Sequence, residues 1–419
     1  MPVLLNPPTS APAAGLRPRH EVADIFRQYG PDYQQSQVLP LLHQQVMQAI
    51  AACRTAVLGG HLEACDRCGF QRPVYNSCRN RHCPKCQTLA KLRWLEARQA
   101  ELLPVGYFHT VFTLPHELND LALANPRRIY DLLFQSVAQT LLEFAADPRH
   151  RLAGQPGFTA VLHTWDQQLR YHVHLHCLVA GGALSWDGQR WVAARRNFLF
   201  PVRALSRVFR GKFLDFLSKA FRQGQLNFPG KFGPLQTPSG FQELLTRLRS
   251  KEWVVYAKKP FGGPEVVLDY LGRYTHRVAI ANSRLRDIAD GRVTFAYRDR
   301  RDHNQVKETT VSADEFIRRF LQHVLPRGFC RIRHFGFLGN RVKRQQLQRC
   351  RELLLPEAET KQPAVLPVAY RDLVQQVTGI DLSVCPQCQG GTMRIRERLP
   401  ARSELRKMPA AASVSINSS

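Results

Sequence analysis

Three groups of side chains in this chain have types and spacings that could do chemistry. The first is HVHLHCLVA, where His172, His174 and His176 recur at i, i+2 and i+4. In an extended strand all three imidazoles leave the same face. Two imidazoles on one face are the start of a divalent-metal site. The alternate residues Val173, Leu175, Cys177 and Val179 are apolar and would face a core. Gln167, seven residues before His174 across a presumed hairpin, offers a carboxamide oxygen as a third, harder ligand. His163 and Asp166 compete for that role. In a strand His163 and Gln167 share one face and Asp166 takes the other.

The second group is the pair Tyr270 and Tyr274 in VLDYLGRYTHR. On a helix this spacing puts both hydroxyls on one face, with Cβ atoms about 6 Å apart. Gly272 between them weakens the helix and marks a close approach or a functional demand. Alone, such a pair is amphipathic packing. Beside a metal strand it acquires a mechanism. A divalent ion polarises and orients a scissile phosphate, and a tyrosine hydroxyl can then act as a covalent nucleophile. The phosphotyrosine keeps the bond energy and leaves a hydroxyl able to reverse the attack. A plain hydrolase would use water.

The third group is cysteine. Cys65-x-x-Cys68 and Cys83-x-x-Cys86 form two knuckles separated by 14 residues, and four soft ligands suit a tetrahedral zinc ion. Gly69 and Pro84 help the chain turn at each knuckle. Cys78 and His82 lie inside the same segment and are alternates for any of the four. Arg72, Arg79, Arg81 and Lys85 make the module basic, which suits phosphate contact. Cys385 and Cys388 form a lone knuckle, and the sequence assigns no partners to it.

These groups need elements to position them. Residues 21–58 show helical periodicity, 59–87 are cysteine- and turn-rich, and a helix is predicted over roughly 88–103. Strands are predicted at 107–115, 158–166 and 172–180, the last two as a hairpin, with a further hairpin over 182–193 turning at Asp187-Gly188. Helices should fill 117–146 and 202–224, strands 253–259 and 292–300, and a helix EVVLDYLGRYTH. The resulting division is a disordered leader (1–20), a helical zinc-binding, DNA-binding domain (21–103), a catalytic domain (104–350) and a C-terminal tail with its lone knuckle (351–419).

The 419 residues carry a formal charge of +26, which favours a polyanionic partner, nucleic acid first. No run approaches the ~20 apolar residues of a membrane span, and no secretory signal is visible. The expected location is the bacterial cytoplasm, near the nucleoid, where eleven cysteines serve metal rather than disulfides. Residues 318–351 hold ten Arg or Lys and no acid, interleaved with Phe320, Phe329, Phe335 and Phe337. Such rings can stack on unpaired bases. Arg331, Arg333, Arg341 and Arg344, with Arg79 and Arg81, are the expected DNA contacts.

Taken together, CDRCGFQRPVYNSCRNRHCPKC, FHTVFTLP, HTWDQQLRYHVHLHCLVAGGAL and YLGRYTHRVAIANSRL resemble the two-tyrosine, rolling-circle HUH transposases of the insertion sequence ninety-one family, over roughly residues 20–350. The resemblance implies that His174 and His176 are the HUH pair around Leu175, and that Tyr270 and Tyr274 are the nucleophiles. It implies magnesium or manganese as the catalytic ion, with Gln167 as candidate third ligand, and zinc as the structural one. Val173 stands where the family usually has proline. The implied fold is α+β: a helical zinc-binding domain, then an antiparallel sheet of about five strands flanked by helices, with 112–115 in the strand beside the metal strand. The implied partners are single-stranded ends of the protein's own element and target DNA. Host replication or helicase factors would supply strand displacement. Two other readings share some of these residues: a plasmid replication initiator or relaxase, and a non-catalytic zinc DNA-binding protein.

Overall fold

The computed structural model of this chain describes residues 18–258, 279–299, 302–355 and 380–405, with 272, 372 and 375. Three short helices come first: α1 (Val22–Gln28), α2 (Gly30–Ser36) and α3 (Leu41–Ala51). A capping box starts α1, in which the Glu21 backbone N–H donates to Asp24 Oδ2 at 2.7 Å. A hairpin follows, β1 (Gly60–Cys65) and β2 (Gln71–Tyr75), and then helix α4 (Pro84–Gln99). It begins at the second knuckle because Pro84 has no N–H to lose in a first turn. Next come β3 (Tyr107–Thr113), α5 (Asn119–Ala124) and α6 (Pro126–Ala146).

The apolar run before His163 becomes β4 (Gly154–Trp165), and the histidine segment becomes β5 (Tyr171–Ser185). β6 (Trp191–Ala193) turns back through Gly188 at φ 68°. Then come α7 (Val202–Arg222), α8 (Pro238–Ser250) and β7 (Val255–Lys258). A second meander, β8 (Leu285–Ala289), β9 (Arg292–Asp299) and β10 (Gln305–Ser312), leads into α9 (Ala313–Leu321). The Ser312 hydroxyl accepts from the Glu315 N–H at the start of α9. β11 (Ile332–Gly336), α10 (Lys343–Leu354), β12 (Met393–Leu399) and α11 (Arg402–Leu405) complete the described residues.

The main sheet runs β11-β4-β5-β3-β7, with β6 also on β5. Every pairing in it is antiparallel. This is the expected α+β architecture, with β5 at the centre and β3 beside it. One face of β5 presents Val173, Leu175, Cys177 and Val179 to a core closed by α6, α7 and α8. Phe112 meets Phe209 there edge to face, with ring centroids 5.2 Å apart. The opposite face, farther along β5, packs Leu178, Ala180 and Leu184 with Leu347 of α10 and Trp94 of α4. The histidines occupy that same face, nearer its start.

The expected boundary at residue 103 does not isolate a core. Val22, Ile25, Phe26, Val46 and Ile50 share one cluster with Phe295, Phe316, Ile317 and Phe320. Phe26 packs edge to face on Phe320 at 5.2 Å. The helices of a short N-terminal segment have more apolar surface than they can hide among themselves, and the second meander covers it. The C-terminal segment is not a free tail either. β12 pairs antiparallel with β1, making a sheet ordered β12-β1-β2.

The aromatic interleaving of 318–351 also has a different meaning. Phe320, Phe329 and Phe337 are buried in three separate clusters, and Phe335 packs against the main one. They fill cores and are not available to stack on bases. Gly336 ends β11 at φ 63°, and a Cβ there would overlap the Pro156 carbonyl.

Because Phe320 joins segments nearly three hundred residues apart, Phe320→Ala should lower the unfolding free energy by about 3–5 kcal/mol. Urea unfolding at fixed zinc measures this, and limited proteolysis should then release the N-terminal helices first. A reduction below about 1 kcal/mol would show that the shared core does not bear on stability.

Candidate functional site

His163, His174 and His176 are brought together in the middle of the main sheet, all buried, with ligand atoms within 4.8 Å of one another. The hairpin register explains this, since His163 on β4 stands directly opposite His174 on β5. Directly opposed residues share a face. The His174 and His176 Nε2 atoms lie 3.1 Å apart.

Their orientation is set by what the other ring nitrogens do. His174 Nδ1 lies 2.9 Å from the His172 carbonyl. A carbonyl can only accept, so Nδ1 carries the proton and Nε2 keeps its lone pair. His176 Nδ1 is bonded at 2.8 Å to His109 Nε2 on β3, with the two rings stacked at 5.1 Å. Both Nε2 atoms therefore face a common point, the arrangement that metal-binding imidazoles take when their outer nitrogens are tied down. The sequence reading missed His109. Its one signal was its position in FHTVFTLP, on the strand beside the histidines.

The third-ligand expectation changes. Gln167 lies in the turn beyond the end of β4, where its backbone carbonyl accepts from Arg284. Asp166 closes the same turn, its Oδ1 accepting from Gln168 N–H at 2.8 Å and Arg170 N–H at 2.9 Å. Strand alternation fails at Gln167 because the strand has already ended at Trp165. His163, the competitor, takes the place opposite His174. His172 is half-buried, and its carbonyl supports the His174 ring.

Behind His163 lies a buried relay of rings. His163 stacks on Trp165 at 4.7 Å, and Trp165 meets His323 at 5.9 Å. His323 Nε2 donates to the Leu169 carbonyl at 3.1 Å, and its Nδ1 stands 3.2 Å from the Thr164 hydroxyl. Burial pushes its pKa down to about 4. His82 and Arg331 line the same small cavity. Burial and the neighbouring Arg81 and Arg331 charges push His82 down to about 3, and burial pushes Arg331 down to about 10.

Tyr270 and Tyr274 lie outside the described residues. Gly272 between them is described: it is helical and buried, and a Cβ there would come within 2.8 Å of Leu95 and Lys91 of α4. The glycine thus marks a close approach to the helix that starts at the second cysteine knuckle.

The four cysteines expected to share one zinc ion are divided between two groups. Cys83 and Cys86 join Cys53 and Cys78, whereas Cys65 and Cys68 face Cys385 and Cys388. The β1–β2 hairpin carries the first knuckle to β12 and away from α4. In the first group Cys53 and Cys78 each stand 3.6 Å from Cys86, sulfur to sulfur. Four thiolates at about 2.3 Å from a tetrahedral ion stand about 3.8 Å apart. Cys83 is the N-cap of α4, so the positive end of the helix faces the sulfurs. Cys78 replaces a knuckle cysteine, as its position allowed. His82, the other alternate, points into the cavity with Arg331. Cys53 was missed because it ends a helical pattern that gave no sign of a ligand.

The expected DNA-contacting arginines also separate. Arg79, Arg341 and Arg344 are exposed. Arg81 donates to the Phe329 carbonyl at 2.7 Å. Arg331 is turned inward. Arg333 pairs with Asp131 at 2.5 Å and lies over the Phe134 ring at 4.1 Å. Their side chains hold elements together.

A cysteine-rich module precedes an antiparallel sheet with convergent buried imidazoles, and comparison with known proteins gives this chain its class, a transposase. The family described as "Transposase zinc-binding domain" matches residues 25–114, and the family described as "Putative transposase" matches residues 157–346. "Putative transposase y4qJ" of Sinorhizobium fredii (strain NBRC 101917 / NGR234) is 54% identical over 374 residues, covering 89% of this chain and 94% of that protein. "Transposase for insertion sequence element IS801" of Pseudomonas savastanoi pv. phaseolicola is 31% identical over 313 residues, covering 74% of this chain and 73% of that protein. No solved structure matches. The chain belongs to the insertion sequence ninety-one family of transposases, with an N-terminal zinc-binding domain. No helix among the described residues is long and apolar enough to cross a membrane.

His323 yields a pH prediction. Its folded pKa, near 4, lies below the ~6.5 of an unfolded histidine, so the unfolded state binds more protons between those values. Stability is therefore present above pH 6.5 and is lost as pH falls towards 4. His323→Gln should remove about 2 kcal/mol of that fall between pH 7 and pH 5. Urea unfolding of both proteins at pH 7 and 5 measures it; acid release of zinc is common to both and cancels in the difference. Parallel pH dependences would show that His323 is not held neutral.

Proposed function

We propose that this transposase nicks and rejoins single-stranded DNA at the ends of its insertion sequence, through a divalent ion at His163, His174 and His176 and phosphotyrosine links at Tyr270 and Tyr274. The convergence of the two Nε2 atoms carries this reading. The two Nε2 atoms lie 3.1 Å apart, and His163 brings a third imidazole within 4.8 Å of them. Ligands at adjacent corners of an octahedron, about 2.1 Å from an ion such as magnesium, stand about 3 Å apart. Imidazoles accept several transition ions; magnesium or manganese are the ions the family resemblance implies. When bound, the ion would polarise the scissile phosphate and offset charge on the leaving oxygen.

The chain's own residues do the rest. The His172 carbonyl and His109 hold the two imidazoles in their metal-facing orientation. The apolar face of β5 fixes the strand itself. A tyrosine oxygen attacks phosphorus, the P–O3′ bond breaks, and the 3′ oxygen leaves with a proton. The DNA 5′ end stays on the tyrosine until a free 3′ hydroxyl attacks and releases it. Two tyrosines can hold two ends during strand exchange. Gly272, between the two tyrosines in sequence, lies close against Leu95 and Lys91 of α4. Strand displacement falls to host replication or helicase factors.

The test is covalent capture of labelled single-stranded DNA from the element's ends. His174→Ala/His176→Ala should reduce adduct at least a thousandfold with DNA binding kept, and chelation should mimic it. His163→Ala should lose more activity than Gln167→Ala. Tyr270→Phe/Tyr274→Phe should form no adduct, and mass spectrometry should find DNA on one of those positions in the parent. Wild-type cleavage by the histidine double variant, or an adduct mapped elsewhere, would overturn the reading.

The exposed arginines give a second prediction. Neutralising Arg341 and Arg344 should weaken DNA binding and flatten its salt dependence by roughly 0.7 log unit for each phosphate left without its arginine. Arg333→Gln should instead lower stability and leave the salt slope unchanged. Equal slopes for all these proteins would place the DNA elsewhere.

A further inference from the structure

We infer that the chain holds a second zinc ion, in a ribbon assembled from its two ends by Cys65, Cys68, Cys385 and Cys388. Cys65 Sγ lies 3.7 Å from Cys388 Sγ, and Cys68 Sγ lies 3.7 Å from Cys385 Sγ. All four sulfurs are within 4.8 Å of one another. A disulfide needs about 2.05 Å, whereas the edge of a tetrahedral zinc–thiolate site is about 3.8 Å. The residues matched by the zinc-binding family end at 114, well short of Cys385.

The surroundings are built for thiolates. The backbone N–H groups of Arg67 and Cys68 each lie 3.4 Å from Cys65 Sγ, so the first knuckle wraps its own sulfur. The second knuckle closes through Cys385 N–H to the Gly391 carbonyl at 2.8 Å and Gln389 N–H to the Cys385 carbonyl at 3.0 Å. A Cβ on Gly391 would come within 2.4 Å of Cys65 Sγ, so only glycine lets the knuckles meet. Asp66 ties them together, its Oδ1 accepting from Thr392 N–H at 2.8 Å and its backbone N–H donating to the Thr392 carbonyl at 3.1 Å. Four thiolates around zinc leave a net charge of −2. Arg67, which lies against Gly390, and Arg394, paired with Asp66 at 3.2 Å, stand beside that charge.

Apolar packing cannot hold this unit alone. Its buried cluster is Cys65, Cys385 and Met393, with Phe70 and Cys388 half-buried against it. β12 exposes most of its side chains. A core of that size folds only with a cross-link or a metal, and these sulfurs are too far apart for disulfides. The ion is what fastens β12 to β1.

The site does not depend on the nuclease reading, and its test is separate. Full-length protein freed of metal under reducing conditions is titrated with cobalt(II), whose tetrahedral thiolate complexes absorb strongly. Counted by their thiolate-to-cobalt absorption, which a site of imidazoles does not give, the chain should take up two equivalents. Cys385→Ser/Cys388→Ser should take up one such equivalent, and so should Cys53→Ser/Cys78→Ser. One thiolate-bound equivalent in the unaltered chain, or two in Cys385→Ser/Cys388→Ser, would overturn the inference. Alkylation of the unaltered zinc-loaded protein keeps the question open to test if a variant fails to fold. Cys385 and Cys388 should react with iodoacetamide at least tenfold more slowly than exposed Cys330, until a chelator is added. Equal rates before chelation would overturn it.

Discussion

Two outward-facing hydrogen bonds decide what the centre of this protein can do. A neutral imidazole has one donor and one acceptor nitrogen, and the partner of one fixes the role of the other. The His172 carbonyl commits His174 Nδ1 to donating. His109 commits His176 Nδ1 to a partner on the neighbouring strand. Everything else in the main sheet serves to keep those two rings still. Buried aliphatic residues alternate with them along β5, helices seal the far face, and β3 and β4 hold β5 from both sides. With outer nitrogens free to rotate into other bonds, the same histidines would be a polar patch in a core, costly to bury.

Much of this was legible in the sequence because it rests on short-range periodicity. Alternation over 172–180 specified a strand with one apolar face, and the short QQLRY link before it specified a hairpin. The arrangement of β5 and β3 followed the family resemblance. What depended on where a strand stops was less legible. Gln167 satisfied the alternation rule on paper, but Asp166 had already turned the chain, and His163 lay in register. The histidine at 109 carried no motif, since its role comes only from strand pairing.

The cysteines and phenylalanines illustrate the same limit over longer distances. Sequence spacing grouped Cys65, Cys68, Cys83 and Cys86, since nothing local signals that a sulfur's partners lie at 53 or 385. The basic, aromatic stretch at 318–351 read as a nucleic-acid surface because composition cannot tell a ring that faces a base from one that faces a helix. In the structure Phe320 answers to Phe26, and Arg333 to Asp131 and Phe134. Of the four arginines of that stretch expected to contact DNA, Arg341 and Arg344 face outward.

The sharing of one core by α1, α3 and α9 has a consequence in time. A ribosome emits about 5–20 residues each second, so the first helices wait on the order of 15–60 s for the segment that covers them. Throughout that interval Ile25, Phe26 and Ile50 have no permanent cover, and β1 lacks one of its two neighbours. Nascent chains with such unpaired apolar faces are the usual clients of chaperones, and folding dominated by distant contacts is slow. A copy of the gene interrupted before α9 would therefore yield no autonomous DNA-binding fragment, only an aggregation-prone one.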